Sequence, residues 1–362
     1  MSMSPVRRAE VCDYYFHFIS NSDVPVEASF GTEEKDQRID RQQIPSMDDI
    51  ARIMENPNHS TDSLVANARG LIQNCDYALP AWLSVLDGSL LSVLSAMLDC
   101  APSDCGLRYV SSAICACKSD RALGQLGLVC FAHFLWPFKA LNWYEDREAR
   151  MKESSPSCDV LREQVLLRQD YQCAISGIGE MGHKKVPMCH LRIGRILHSP
   201  IVGSEKPIDF FGTMTREIVK NYIDPTVNLD ALADGPHNAI ASQHDIGMFF
   251  NNFLFSLKPT TNPDEYTAET YGERIWLVPI KNRIVFEGDT PPDPGYLHLH
   301  ACVADVLQRS GAGKVIDKIL KCIPERTCPA DIIDLQQVLD TLGLRYSLVA
   351  AFELPVCRDV LF

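Results

Sequence analysis

The feature that most constrains this chain is a change of texture at Tyr171. Upstream of it, apolar residues recur at helical spacing over long windows. Downstream, they fall into short runs separated by glycine, proline and asparagine. Period is the primary signal of element type, and a chain that changes period in this way builds helices first and small sheets afterwards. The expected fold class is α+β, mostly helical, with the strands confined to the later part.

The helical part has readable starts. In "SMDDIARIMEN" Ser46 is placed to cap, with Asp48 and Asp49 in the first turn. "STDSLVANARGLIQNC" repeats the pattern, with Leu64, Ala68, Leu71 and Ile72 at helical spacing. "PAWLSVLDGSLLSVLSAMLDCA" reads as a buried helix or helix pair, broken at Asp87 and Gly88. "SDRALGQLGLVCFAHFLWPF" is a further helix, ended or kinked at Pro137. A charged and then Ser/Pro-rich stretch near 145–158 is the best linker, and "VLREQVLLRQD" is a short helix after it.

From Tyr171, "YQCAISG" and "KVPMCHLRI" read as strands, and "PIDFFGTMTREIVKNYI" as a helix. "HNAIASQHDIGMFFNNF" is a strand or turn entering a helix. "FLFSLKPT", "YTAETY" and "RIWLV" are strands, and 295–320 is a helix, a glycine break and a second helix. "GAGK" at 311–314 lacks the spacing of a phosphate-binding loop and is read as that break. "PADIIDLQQVLDTLGL" closes the chain with one more helix. The resulting division is a polar arm over 1–45, a helical region over 46–157 and a strand-bearing domain over 158–260. Strands plus helices follow over 261–322, with an unassigned helix and tail over 323–362.

Charge narrows the partners. The chain of 362 residues carries a formal net charge of −13. A strongly basic chain would advertise phosphate contacts; this one does not. The region 158–260 is nearly balanced, so any nucleic-acid surface is a local patch there. Lys184 and Lys185 before, and Arg192 and Arg195 after, His190 form the one local basic cluster. They are read either as a grip on phosphate or as a solvated face. The 14 cysteines form no CxxC pair, which suits free thiols in a reducing compartment. The N-terminus has no apolar leader segment. The most apolar window, 122–141, is interrupted by Gln125, His133, Pro137 and Lys139, so it reads as a buried helix, not a membrane span. The expectation is a soluble intracellular protein with no membrane partner, nucleus and cytoplasm not being distinguished.

Three short pieces carry the candidate chemistry. "YQCAISG" holds Cys173, "VPMCHLRI" holds Cys189 and His190, and "GPHNAIASQHDIGMFFNNF" holds Asn238 and His244. Phosphodiester hydrolysis needs a base that titrates near neutrality, which histidine supplies. It also needs positive charge at the phosphate, commonly a divalent ion. Read from residue type alone, His190 is either such a base or a hydrogen-bonded structural histidine. Asn238 is either a site residue or a turn stabiliser.

The order "LLRQDYQCAISG", "CHL", "GPHNAI" and "DIGMFFNNFLFSLKPT" resembles the HNH endonuclease family, in its branch of fungal-type HNH-domain proteins. The matched block spans about 165–260, with weaker likeness from about 120 to 320. The resemblance implies a ββα-metal finger embedded in a mostly helical protein, and metal-dependent cleavage of nucleic acid, DNA rather than RNA. It makes His190 the general base and Asn238 the middle Asn of the motif. It places Cys189 where many members carry a metal-binding Asp, and Cys173 at a packing position. The closing His of the family falls on Gly247, so His244 becomes the candidate stand-in as metal ligand beside Cys189. The ion is zinc, magnesium or manganese, and cysteine and histidine favour zinc or another transition metal over magnesium. Two functions stay open: a divalent-metal endonuclease, and a degenerate HNH-fold module that binds a partner or nucleic acid without cutting. His298 and His300 form an HxH pair, but residues two apart on a helix do not face together, so packing is the expected role.

Overall fold

Ser46 and Ser60 explain the first two helices, α1 (Met47–Met54) and α2 (Thr61–Gln73), since each side chain accepts from the third backbone N–H beyond it. At Ser46 the bond is reciprocal, with Asp49 reaching back to the cap backbone. Leu64 and Ala68 of α2 are buried as their spacing requires, but Leu71 is exposed. The computed structural model describes residues 45–77, 89–149, 156–183, 187–197, 213–223, 235–271, 280–286, 288, 290–323, 335 and 338. The polar arm, the "RIWLV" strand, Lys184, Lys185 and all of the closing helix but Leu335 and Val338 lie outside the described residues. Contacts divide the chain after Asp40, and the described residues belong to the later unit.

α3 (Ser89–Asp99), α4 (Asp104–Cys115) and α5 (Asp120–Cys130) complete the N-terminal layer. Ser103 and Ser119 cap α4 and α5. The window around Pro137 differs from the expected break. A π-helical segment over Phe131–Leu135 leads directly into α6 (Trp136–Ala149), so the helix continues through Pro137. Proline cannot donate to the carbonyl four residues back and collides with it; the wider π turn immediately before it accommodates this defect. The linker expected at 145–158 is shorter, because α6 runs to Ala149 and α7 (Pro156–Arg168) starts at Pro156.

The strands are few and short. β1 (Gly179–Glu180) pairs in parallel with β2 (Met188–Cys189). β3 (Leu191–Arg195) pairs antiparallel with β4 (Ala239–Gln243), from Leu191↔Gln243 to Arg195↔Ala239. The run "KVPMCHLRI" is therefore two strands and not one: the chain changes sheets at His190. "YQCAISG" is a tight turn, not a strand. Gly177 at φ 79° donates its N–H to the Cys173 carbonyl, and the buried Cys173 Sγ accepts from Ser176 N. Cys173 thus packs and shapes a turn.

α8 (Thr213–Ile218) falls within the expected "PIDFFGTMTREIVKNYI" helix and continues as a π segment to Ile223. Tyr222 in that segment is buried, donates to the Met97 carbonyl and meets Phe134 edge-on. A single 3₁₀ turn over Pro236–Asn238 precedes β4, and α9 (His244–Asn251) follows it without a loop. β5 (Phe255–Pro259), β6 (Glu265–Thr270) and β7 (Ile284–Val285) make an antiparallel sheet. α10 (Pro294–Ser310) runs through the core, packing on α3 and β5, and ends at Gly311, whose φ of 73° makes the left-handed cap before α11 (Ala312–Lys321).

α9 is fixed by side chains from other helices. Its terminus makes two local bonds, Leu254 N to Phe249 O and Phe253 N to Phe250 O, around a Phe253 held at φ 57°. That left-handed position usually belongs to glycine. Carbonyls left over at a helix end need partners. His300 Nε2 meets the Phe250 carbonyl, Asn142 donates to Asn251, Lys139 to Asn252 and Gln308 to Phe253. The ring of His300 is fully buried and stacks on Phe250 at 3.8 Å and on Phe253 at 4.6 Å. The HxH pair is thus a packing element at His300, while His298 Nε2 lies 3.8 Å from Cys302 Sγ.

Candidate functional site

The antiparallel β3–β4 pair followed directly by α9 is the local arrangement on which the candidate residues sit. α9 packs on one face of that pair. Gly247 is at the closest approach: a Cβ there would stand 2.8 Å from Ser242 Oγ. On the outer edge of β4, the C-terminus of α7 takes the place of a neighbouring strand. The Gln169 side chain accepts from Ala241 N at 2.9 Å and donates to Ala241 O at 2.8 Å. Arg168 donates to the carbonyls of Ala239, Pro236 and Thr290. Burial lowers its pKa to about 10.

His190 stands where the chain leaves β2 and enters β3. Its side chain is 74% exposed, with Nδ1 3.5 Å from Glu180 Oε1. Glu180 was not singled out in the sequence, yet it organises this corner. It is buried, accepts from Arg162 Nη2 at Oε1 and from Leu191 N at Oε2, both at 2.7 Å. Arg162 also donates to the Leu191 carbonyl at 2.7 Å. Both backbone groups of Leu191, the residue after His190, are therefore held by one buried ion pair. The sequence signal was slight: a carboxylate between glycines in "GIGEMG", two turns of chain away from the histidine it faces.

His244 is the exposed first residue of α9. The last ladder pair is Leu191↔Gln243, so His190 and His244 flank it on their respective strands. Each lies one residue beyond that pair, so both stand at the same end of the ladder. Arg192 is exposed two residues along from His190, and Arg195 is half-buried near the other end of β3.

Asn238 is not at that end. It precedes β4, beyond the Arg195↔Ala239 pair, and is buried. At about 3.3 Å per residue, the ladder separates it from His190 by roughly 15 Å or more. Its amide is fully used: Oδ1 accepts from Leu197 N at 2.9 Å and Nδ2 donates to Leu197 O at 2.8 Å. The register thus puts His190, His244, Cys189 and Arg192 toward one end of the β3–β4 pair, and Asn238 and Arg195 at the other. Asn238 closes the loop between β3 and β4.

The divalent ion that the HNH resemblance implies does not fit the described residues. Among them no group of three His, Cys, Asp or Glu side chains is placed to hold a metal. The donor chemistry agrees. Both Glu180 oxygens are already occupied. The half-exposed Cys189 thiol is pushed up by burial, with Cys173, Glu180 and Asp245 adding to the effect. Gly247 brings no side chain at all. Among the described residues, no helix is long and apolar enough to cross a membrane.

Comparison with known proteins returns no matching family model, no matching curated protein and no matching solved structure.

Proposed function

We propose that the β3–β4–α9 unit is an HNH-like ββα module that cleaves phosphodiester bonds in nucleic acid, with His190 as general base. The observation that carries this reading is the contact between exposed His190 and buried Glu180. A carboxylate at Nδ1 favours the proton there and leaves Nε2 outward as the acceptor, the arrangement a base requires. Arg162 and Leu191 N–H keep the carboxylate aimed. His244, on the other side of the last ladder pair, is the group positioned to return a proton. Arg192 supplies positive charge for the phosphate, and Asn238 keeps the loop that sets the strands in register. Zinc, magnesium and manganese have no step in this reading, because the donors among the described residues do not suit them.

A second reading has its own observation. Gly247 occupies the position of the family's closing His and is packed against Ser242. That favours a degenerate module which binds nucleic acid or a protein through the same face without cutting. Plasmid nicking and oligonucleotide cleavage by the full chain, wild type against His190→Ala, separate the two. Cleavage that is lost in the variant supports the first. Binding by gel shift with no cleavage, equal in both proteins, supports the second.

A further inference from the structure

If His190 is a base, the substrate must supply what the site lacks. Metal-assisted hydrolysis obtains its nucleophile by acidifying a bound water and stabilises the phosphate with the same ion. The described donors around His190 do not fit that role: among them no three are placed to hold an ion, Glu180 is committed to Arg162 and Leu191, and Gly247 offers nothing. What the corner does hold is two histidines flanking one ladder pair, one of them facing a clamped carboxylate, with an exposed arginine beside them.

Two imidazoles acting as base and acid are sufficient when the nucleophile is already attached to the substrate. RNA carries such a nucleophile, the 2′-hydroxyl adjacent to each phosphate. Attack within one nucleotide is intramolecular, and such reactions gain effective molarities of about 10⁵ M or more in favourable geometry. DNA has no hydroxyl there. Resting on the cleavage reading above, we infer that this site acts on RNA, by metal-independent transfer of the phosphodiester to its own 2′-oxygen.

The step balances without any co-reactant. His190 Nε2 takes the 2′-hydroxyl proton, and the 2′-oxygen forms a bond to phosphorus. The bond from phosphorus to the 5′-oxygen breaks, and His244 donates a proton to that leaving oxygen. The products are a 2′,3′-cyclic phosphate and a free 5′-hydroxyl. No electron is exchanged, and the two histidines finish with their protonation states interchanged.

The test uses the full chain with a single-stranded RNA oligonucleotide and the DNA of the same sequence, each with EDTA and with added Mg²⁺, Mn²⁺ or Zn²⁺. The expected result is RNA cleavage in EDTA to cyclic-phosphate ends, with DNA intact. His190→Ala and His244→Ala should each lower the rate by about 10²-fold or more. Both side chains are exposed, so the unfolding transitions of the variants should match wild type. Cleavage of DNA, or cleavage of RNA only with added metal, overturns the RNA-transfer inference and leaves the cleavage reading standing. RNA cleavage in EDTA that both variants retain comes from a contaminant and overturns the inference as well. No cleavage of either polymer under any condition overturns both.

Discussion

The Lys139 ammonium donates to the carbonyl of Asn252 at 2.9 Å, from a side chain that is 3% exposed. Its other partner is Asp317 on α11, at 3.0 Å. One buried cation thus joins α6, the end of α9 and α11. Positive charge is favoured at a helix C-terminus, and burial strengthens the bond while making its loss costly. Lys139→Met should destabilise the protein by about 1–3 kcal/mol, the penalty for an abandoned buried acceptor. Urea unfolding checks this; an unchanged midpoint would mean that the α9 carbonyl finds water when the lysine is gone.

His300 gives the fold a pH dependence. Burial lowers its pKa from 6.5 to about 3, the hydrogen bond to Phe250 opposing only in part. A depressed folded value means that the unfolded chain binds the proton first. The contribution is complete above about pH 6.5 and drains away as pH falls toward 3, at a limiting slope of about 1.4 kcal/mol per unit. His300→Phe keeps the ring between Phe250 and Phe253 and removes the titration. Its stability should fall less steeply than that of wild type between those values, as followed by thermal unfolding across a pH series. Parallel curves would rule this origin out.

Gly247 and Ser242 should be coupled. Alanine gains up to about 1 kcal/mol over glycine inside a helix. At position 247 that gain is opposed by the 2.8 Å approach to Ser242 Oγ. Gly247→Ala should therefore be more favourable in a Ser242→Ala background than in wild type, by about 1 kcal/mol. A double-mutant cycle measures it, and additivity would mean that the serine rotates aside at no cost.

Asn238 and His190 should separate stability from function. Asn238→Ala leaves both backbone groups of Leu197 without their partners in a buried loop, a loss of about 2–5 kcal/mol. His190→Ala, at an exposed position, should stay within about 0.5 kcal/mol of wild type. Denaturant titration of the two variants decides. A large loss at His190 would assign it to structure.

Much of the helical half was legible because helix starts are written locally. Ser46 accepts the expected bond, and Ser60 and Ser119 stand before helices that were read, but α4 after Ser103 was not read at all. The entry of β4 into α9 was also legible, though no side chain caps that helix, and so was the break at Gly311. The partner change at His190 was not, because nothing in "VPMCHLRI" distinguishes one strand from two short ones; the difference lies in which distant segments pair with each half. Nor was the clamp on α9, which depends on Lys139 and Asn142 of α6 meeting His300 and Gln308 of α10. The grouping of the candidate residues was not legible from the motif. His190 and Asn238 stand together in the motif, yet the ladder that carries them holds them at opposite ends. Glu180 escaped notice because a carboxylate becomes informative only once burial and Arg162 are known.

The contact between α7 and β4 has a consequence for how copies of this chain meet. A two-stranded sheet normally leaves hydrogen-bonding groups on its outer side, which invite a strand from another molecule. Here Ala239 N–H is taken by Pro236, Ala239 O by Arg168, and both groups of Ala241 by Gln169. The amide of a single glutamine stands in for a third strand and, having no further residues to pair, gives nothing for another chain to extend. Along Ala239 and Ala241, β4 therefore offers no open groups to a strand from another molecule, and backbone and side-chain partners share that protection.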